Sequence, residues 1–301
     1  MRGDLLERLR GGEVLVSHIT IHGLAEEKGR DLTGHLSEWI VDHPQDFQDL
    51  IKATCAAGSD FGTTATQGNI RYRLRGFGLE DRLYELTIKQ TQLAREATPK
   101  NCHLKGIIST TGRFLESAGG DMTVDELYES YKEVIIPLLE GGVDVLELVE
   151  NDTEQVVVGI RALRDLGDIP VIALNFLYHY KTGIKTLMGV DPKTAATRFQ
   201  EAGADVIGAC CYGGAGFTSR EDAVTIIEET RQGCDKPIII MPNQGSAQEI
   251  DGKTIYPVTP EQTAKTVPDW IAAGASIVGG VAGTSLEHLR AISAAVRGEE
   301  K

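Results

Sequence analysis

RFQEAGADVIGAC, residues 198–210, carries the pattern that decides the fold. A helical run ends at Ala-Gly, a short polar turn follows, and the chain enters the apolar stretch VIGAC. Glycine closes the helix because it accepts the left-handed backbone of a helix end at little cost. The continuous apolar run reads as a parallel strand buried on both faces. The same unit recurs in KATCAAGSDFGTT 52–64, PLLEGGVDVLELV 137–149 and DWIAAGASIVGG 269–280.

Working outward, eight such strands fall at about 14–18, 58–64, 104–109, 144–149, 169–175, 204–210, 236–241 and 274–280. A helical pattern follows each. Capping boxes are read at TVDE 123–126, NDTE 151–154, TSRE 218–221, TPEQ 259–262 and TSLE 284–287. Eight alternating strands and helices define an α/β protein, a single (β/α)8 TIM barrel over 1–301. A short helix at 3–10 is expected to cover the bottom of the barrel. No linker-like composition divides the chain.

The chain has 301 residues, 41% of them hydrophobic, enough for a large core. Its 44 acidic against 30 basic residues (net charge −14) argue against nucleic acid or an anionic membrane as partner. The amino-terminal stretch MRGDLLERLRGGEVLV lacks the apolar core of a signal peptide, and no run approaches membrane-spanning length. Five cysteines without framework spacing point to a reduced, cytoplasmic setting. A homo-oligomer is compatible with this reading.

In such a barrel the chemistry gathers at the carboxyl-terminal ends of the strands. That rim holds His18, Thr64, Thr66, Ser109, Thr110, Glu147, Glu150, Asn175, Cys210, Cys211, Asn243 and the turn GGVAGT 279–284. Cys55, Cys102 and Cys234 fall at the opposite end and read as small buried residues. Lys105 and Lys236 are placed before their strands and Lys181 and Lys185 in a loop, which disfavours Schiff-base chemistry. Glycine-rich turns after strands six and eight have the character of phosphate loops. His18 and His22 close strand one and enter its loop. His179, between Tyr178 and Tyr180 just after strand five, belongs to a cluster suited to an aromatic or cationic group.

Together the motifs resemble the homocysteine S-methyltransferase family. The resemblance is densest in 76–97, 202–213, 236–262 and 270–292. It implies a methyltransferase barrel with zinc held by three cysteines, one after strand six and an adjacent pair after strand eight. Cys211 matches the first, whereas Val281 and Ala282 stand at the other two. With Cys211 as the remaining third of the site, Cys210 is expected to face away. The family's Asp-Gly-Ala-Met-Gly-Thr after strand one is here HITIHG 18–23, with His18 in place of the aspartate. The family's strand-four glutamate aligns with Val149, leaving Glu147 two residues earlier on the same face and Glu150 one residue later.

These departures lead to the expectation of a methyltransferase that moves a methyl group from a small donor, a methoxy compound or a quaternary amine, to a corrinoid protein. No corrinoid-binding Asp-x-His-x-x-Gly motif is present, so the corrinoid comes from a separate protein. Zinc is not expected; a rebuilt site would use Cys211 with His18 or His22. His18, Glu147 and His179 are the expected catalytic residues. Thr64, Thr66, Glu150, Asn175, Tyr178, Cys211 and Asn243 are the expected substrate-binding residues. The alternatives are a thiol S-methyltransferase with a rebuilt metal site and a non-catalytic barrel that binds a small molecule.

Overall fold

The computed structural model describes residues 3–19, 21–211, 220–250 and 253–299. Eight parallel strands form a nearly closed barrel: β1 Leu15–His18, β2 Phe61–Thr63, β3 His103–Ile108, β4 Val145–Glu150, β5 Val171–Tyr180, β6 Val206–Cys211, β7 Ile238–Met241 and β8 Ala275–Gly280. Each pairs with its chain neighbour from β2 round to β8, and β8 returns to β1. Among the described residues the seam between β1 and β2 has no continuous ladder. Asp60 joins it instead: its N–H donates to the Val16 carbonyl (2.8 Å), and its carboxylate accepts from the Val16 N–H (2.9 Å).

At least one helix follows every strand. Gly203 and Gly274 end the helices before β6 and β8 with φ of 98° and 112°, which only glycine adopts without strain. Capping boxes form at Thr123–Glu126 and Thr259–Gln262 as expected. The box of the last helix shifts by one residue, and after β4 a single side-chain cap stands in place of a box. Asn151 Oδ1 accepts from the Tyr178 hydroxyl, so Asp152 caps the helix after β4. Thr284 Oγ1 accepts from Gln244, so Ser285 caps the last helix, with His288 completing the box. The 218–221 box lies outside the described residues.

Strand five is longer than 169–175. It runs to Tyr180 because the alternating stretch FLYHY pairs antiparallel with Gly183–Lys185, so His179 belongs to a hairpin rather than to a loop. A second hairpin, Gln248–Ile250 with Lys253–Ile255, follows β7. Inside the barrel, Leu15, Phe61, Val145, Ile172, Val206, Ile239 and Ile277 form one buried cluster, with Leu5 and Leu9 of helix Leu5–Arg10 packed onto it. The outer faces of the strands pack against the helices, as Leu146, Leu148 and Ala173 do. Among the described residues no helix is long and apolar enough to cross a membrane.

Candidate active site

Strand alternation sorts the interior. On β3 it brings Lys105 inward, fully buried. The Lys105 ammonium donates to Ser17 Oγ at 2.8 Å, to the His18 carbonyl at 3.1 Å and to Glu147 Oε2 at 2.8 Å. These three bonds use all three of its protons. Lys105 is therefore the third residue of its strand and not ahead of it, a correction to the sequence reading; a lone charge in a short apolar run resembles a strand boundary. The missed signal is parity, since His103, Lys105 and Ile107 share one face.

Glu147 is equally buried, and its second oxygen, Oε1, has no hydrogen-bond partner among the described residues. Burial pushes its carboxyl above the usual range, against the pull of Lys105. Glu147 and Val149 face the same way, as the alternation requires. A barrel interior is ordinarily filled by branched apolar side chains, so the buried Lys105–Glu147 ion pair departs from that filling. Desolvation opposes such a pair, and removing one partner leaves an uncompensated charge.

Cys210 is fully buried in the interior cluster, where burial and the nearby Glu147 raise its thiol well above the ordinary range. The expectation that Cys210 faces away is overturned: its parity matches Val206 and Gly208, which turn inward. The side chain of Cys211 lies outside the described residues. Cys55 and Cys102 do lie at the far end of the barrel from the rim, where they hydrogen-bond each other, and Cys234 donates to the Thr230 carbonyl.

A second polar group forms above β4 and β5. Glu150 accepts from the backbone N–H of Thr111 (2.6 Å) and of Asn151 (3.2 Å). Burial nonetheless pushes its carboxyl up to about 8. Asn175 donates to the Glu150 carbonyl at 2.8 Å and accepts from Thr153 at 2.9 Å. Tyr178 donates to Asn151 at 2.7 Å. The structure thus brings Glu150, Asn175 and Tyr178 together at one edge of the mouth.

The other expected residues are distributed differently. His18, at the end of β1, is fully buried at the β1–β2 seam and hydrogen-bonds the Phe61 backbone. Desolvation, reinforced by Lys105, lowers its imidazole to about 3, so it is neutral at physiological pH. Thr64 and Thr66 bond each other at 2.6 Å; the Ile107 N–H donates to Thr64, and Thr66 donates to the Ile107 carbonyl. These pairings tie β2 to β3. His179 is half-exposed on the hairpin, 3.5 Å from Asp222. Asn243, just past β7, carries a buried Oδ1 with no partner among the described residues. His22 lies within helix Ile21–Glu27, beside Arg30.

Among the described residues no three His, Cys, Asp or Glu side chains are placed to hold a metal ion. Val281 and Ala282 at the β8 turn carry no donor atoms. The donor set present therefore does not fit a three-cysteine zinc. The glycine-rich turn after β6 lies outside the described residues. In the turn after β8, Gly283 backs onto the Tyr256 ring, where a Cβ would collide, so close packing accounts for that glycine.

The fold and the polar mouth define a (β/α)8 barrel whose polar groups gather at the carboxyl-terminal ends of its strands. The family model described as homocysteine S-methyltransferase matches residues 15–296, and the chain belongs to that methyltransferase family. It is 28% identical over 256 residues to a methionine synthase of Mycobacterium tuberculosis, covering 80% of this chain and 20% of the relative. A methionine synthase of Mycobacterium leprae is 27% identical over 254 residues, with the same coverage. The chain thus spans about a fifth of the length of these curated relatives. In fold it resembles the homocysteine methyltransferase MmuM from Escherichia coli in its metallated form. That likeness has a TM-score of 0.76 and 18% identity, covering 94% of this chain and 96% of that one.

Proposed function

We propose that this barrel transfers a methyl group from a small methoxy compound or quaternary amine to a corrinoid held by a separate protein, in a cytoplasmic setting. The observation that carries the reading is the β8 turn: side chains without donor atoms stand at Val281 and Ala282, while the mouth keeps its polar groups. Without zinc to hold a thiol as thiolate, a natural acceptor is a nucleophile that needs no such activation. The Co(I) of a corrinoid supplies that property when its carrier protein docks.

The protein's own residues then bind the donor and manage the leaving group. Breaking a methyl–oxygen bond leaves an oxyanion that takes up a proton. Glu150, protonated at neutral pH by its burial, is suited to give it. A quaternary amine leaves as a neutral amine and needs no proton. His179 and Tyr178 flank the approach, and Asn175 and Asn243 orient the donor. Thr64 and Thr66 set the β2 end of the mouth. Glu147, held by Lys105, forms its floor, and His18 steadies Lys105 through its carbonyl.

The rim supports a docked partner. Leu32, Phe77, Phe114, Leu187, Met188 and Ile250 are exposed apolar side chains; Phe114, Leu187, Met188 and Ile250 lie between a barrel strand and the next helix, and Leu32 and Phe77 between the helices that follow β1 and β2. The second reading, thiol methylation through a rebuilt metal site, is favoured by Cys211 itself and by the methionine synthase relatives.

The test offers the full chain a panel of methoxy compounds and quaternary amines, with either a reduced corrinoid protein or homocysteine as acceptor. The visible cobalt spectrum and the appearance of methylated thiol are followed. Methylation of the corrinoid alone is expected. Methylated homocysteine without corrinoid would overturn the proposal in favour of the second reading, and no transfer to either would leave the binding barrel.

A further inference from the structure

The mouth above β1 and β2 gathers two guanidiniums that hold no carboxylate by a hydrogen bond or close ion pair among the described residues. Arg30 follows the β1 helix Ile21–Glu27, and Arg73 lies in the helix Arg71–Arg75 after β2. Elsewhere Arg8, Arg71, Arg95, Arg113, Arg164 and Arg198 each hold a carboxylate, while Arg231 and Arg297, away from the mouth, hold carbonyls and a hydroxyl. Among the described residues Arg30 and Arg73 hold no carboxylate, in a chain with 14 more acidic than basic residues.

Arg30 donates Nη2 to the Gly34 carbonyl at 3.0 Å and places Nη1 3.4 Å from His22 Nδ1. Its Nε is buried without a hydrogen-bond partner among the described residues. Glu26 and Asp31 act on it only through space. Leaving a buried guanidinium N–H unmet is costly. Arg73 is exposed and donates Nη1 to Thr110 Oγ1 at 2.6 Å, leaving the rest of its fork available. His22 and His35 lie in the fields of both arginines. His35 accepts from the Ser37 N–H at Nδ1 and is edge-on to Phe77.

We infer that Arg30 and Arg73 form a binding site for an oxyanion, a carboxylate or phosphate group carried by the small molecule that enters the mouth. The free part of the Arg73 fork matches such groups, and Arg30, its Nη atoms already turned to Gly34 and His22, contributes its charge and the Nε that lacks a partner. The inference rests on the mouth being the ligand-binding end and not on which acceptor takes the methyl group.

The test is calorimetric titration of the full chain with acetate, benzoate and inorganic phosphate, in the absence of corrinoid. Saturable binding in the millimolar range or tighter is expected, weakened about tenfold or more by Arg73→Gln and by Arg30→Gln. Arg75→Gln, beside the site but paired with Glu80, should leave it unchanged. Preference for the two carboxylates or for phosphate then distinguishes the source of the oxyanion. Arg73→Gln changes an exposed side chain and keeps the test valid if Arg30→Gln unfolds. Absence of saturable binding by all three probes, or binding that neither substitution weakens, overturns the inference. Methyl transfer from uncharged donors with oxyanion binding lost would leave the proposed function standing alone.

Discussion

The two ends of the strand path and the junction of β7 with β8 are closed by different means. Between β7 and β8 the backbone ladder is continuous in register apart from one shift at Ala275–Ile277, and Gln244 ties the loops above it. Gln244 accepts from Thr263 at 2.6 Å and donates to Thr284 at 2.9 Å. Between β1 and β2 side chains replace much of the ladder: Asp60, Ser59 and the Lys105–Glu147 pair hold the gap. The lesson is that backbone closure leaves room for an apolar interior, as at Ile239 and Ile277, whereas side-chain closure brings charge inside. Among the described residues, the interior of the β1–β4 half therefore holds ionisable groups that the β5–β8 half lacks, Cys210 excepted.

The largest test of this difference removes the ammonium. Lys105→Ala strands Glu147 inside the barrel and should cost about 4 kcal/mol in urea unfolding. Lys105→Met with Glu147→Leu should recover most of that loss, because no uncompensated charge remains. A loss under about 1 kcal/mol for the single substitution would mean that the seam does not depend on the pair.

A second test uses pH. The Glu150 carboxyl is raised from 4.5 to about 8 on folding. Above pH 4.5 the unfolded chain gives up this proton while the folded chain retains it, so stability falls as pH rises from about 5 to 8. The loss attributable to this group is on the order of 3 kcal/mol. Glu150→Gln should flatten that slope in urea melts; an unchanged slope would assign it to other groups. His18 acts in the opposite sense. Its depressed imidazole favours folding above the unfolded value of 6.5, and that stability is lost as pH falls toward about 3.

Gln244→Ala examines the other closure. It leaves the hydroxyls of Thr263 and Thr284 short of a partner, for a cost of about 2 kcal/mol with little pH dependence. The smallest effect belongs to Thr63. Its buried Oγ1 has no hydrogen-bond partner among the described residues, so Thr63→Val should change stability by less than about 0.5 kcal/mol. A larger loss would show that the hydroxyl is used.

The eight strands were legible because an apolar run after Ala-Gly is set by local chemistry: a left-handed glycine and a doubly buried strand. Facing directions were less so. Cys210 and Cys211 are adjacent, and which one turns inward depends on how the whole strand is seated, a property that a motif match does not carry. Lys105 was visible but not interpretable, since its partners Ser17 and Glu147 lie 88 and 42 residues away. Arg30 and Arg73 were missed for the same reason: their significance is the lack of a directly bonded carboxylate among the described residues, which only the assembled mouth reveals. Glu150 and Asn175 were legible as rim residues, although their mutual bonding through the Glu150 carbonyl was not.

The central claim is that methyl transfer here proceeds without a zinc-held thiol, and zinc content tests it most directly. Elemental analysis of the purified full chain, dialysed without chelator, should find far less than one zinc per chain. A stoichiometry of about one zinc, lost on Cys211→Ser together with methyl transfer to homocysteine, would contradict the account.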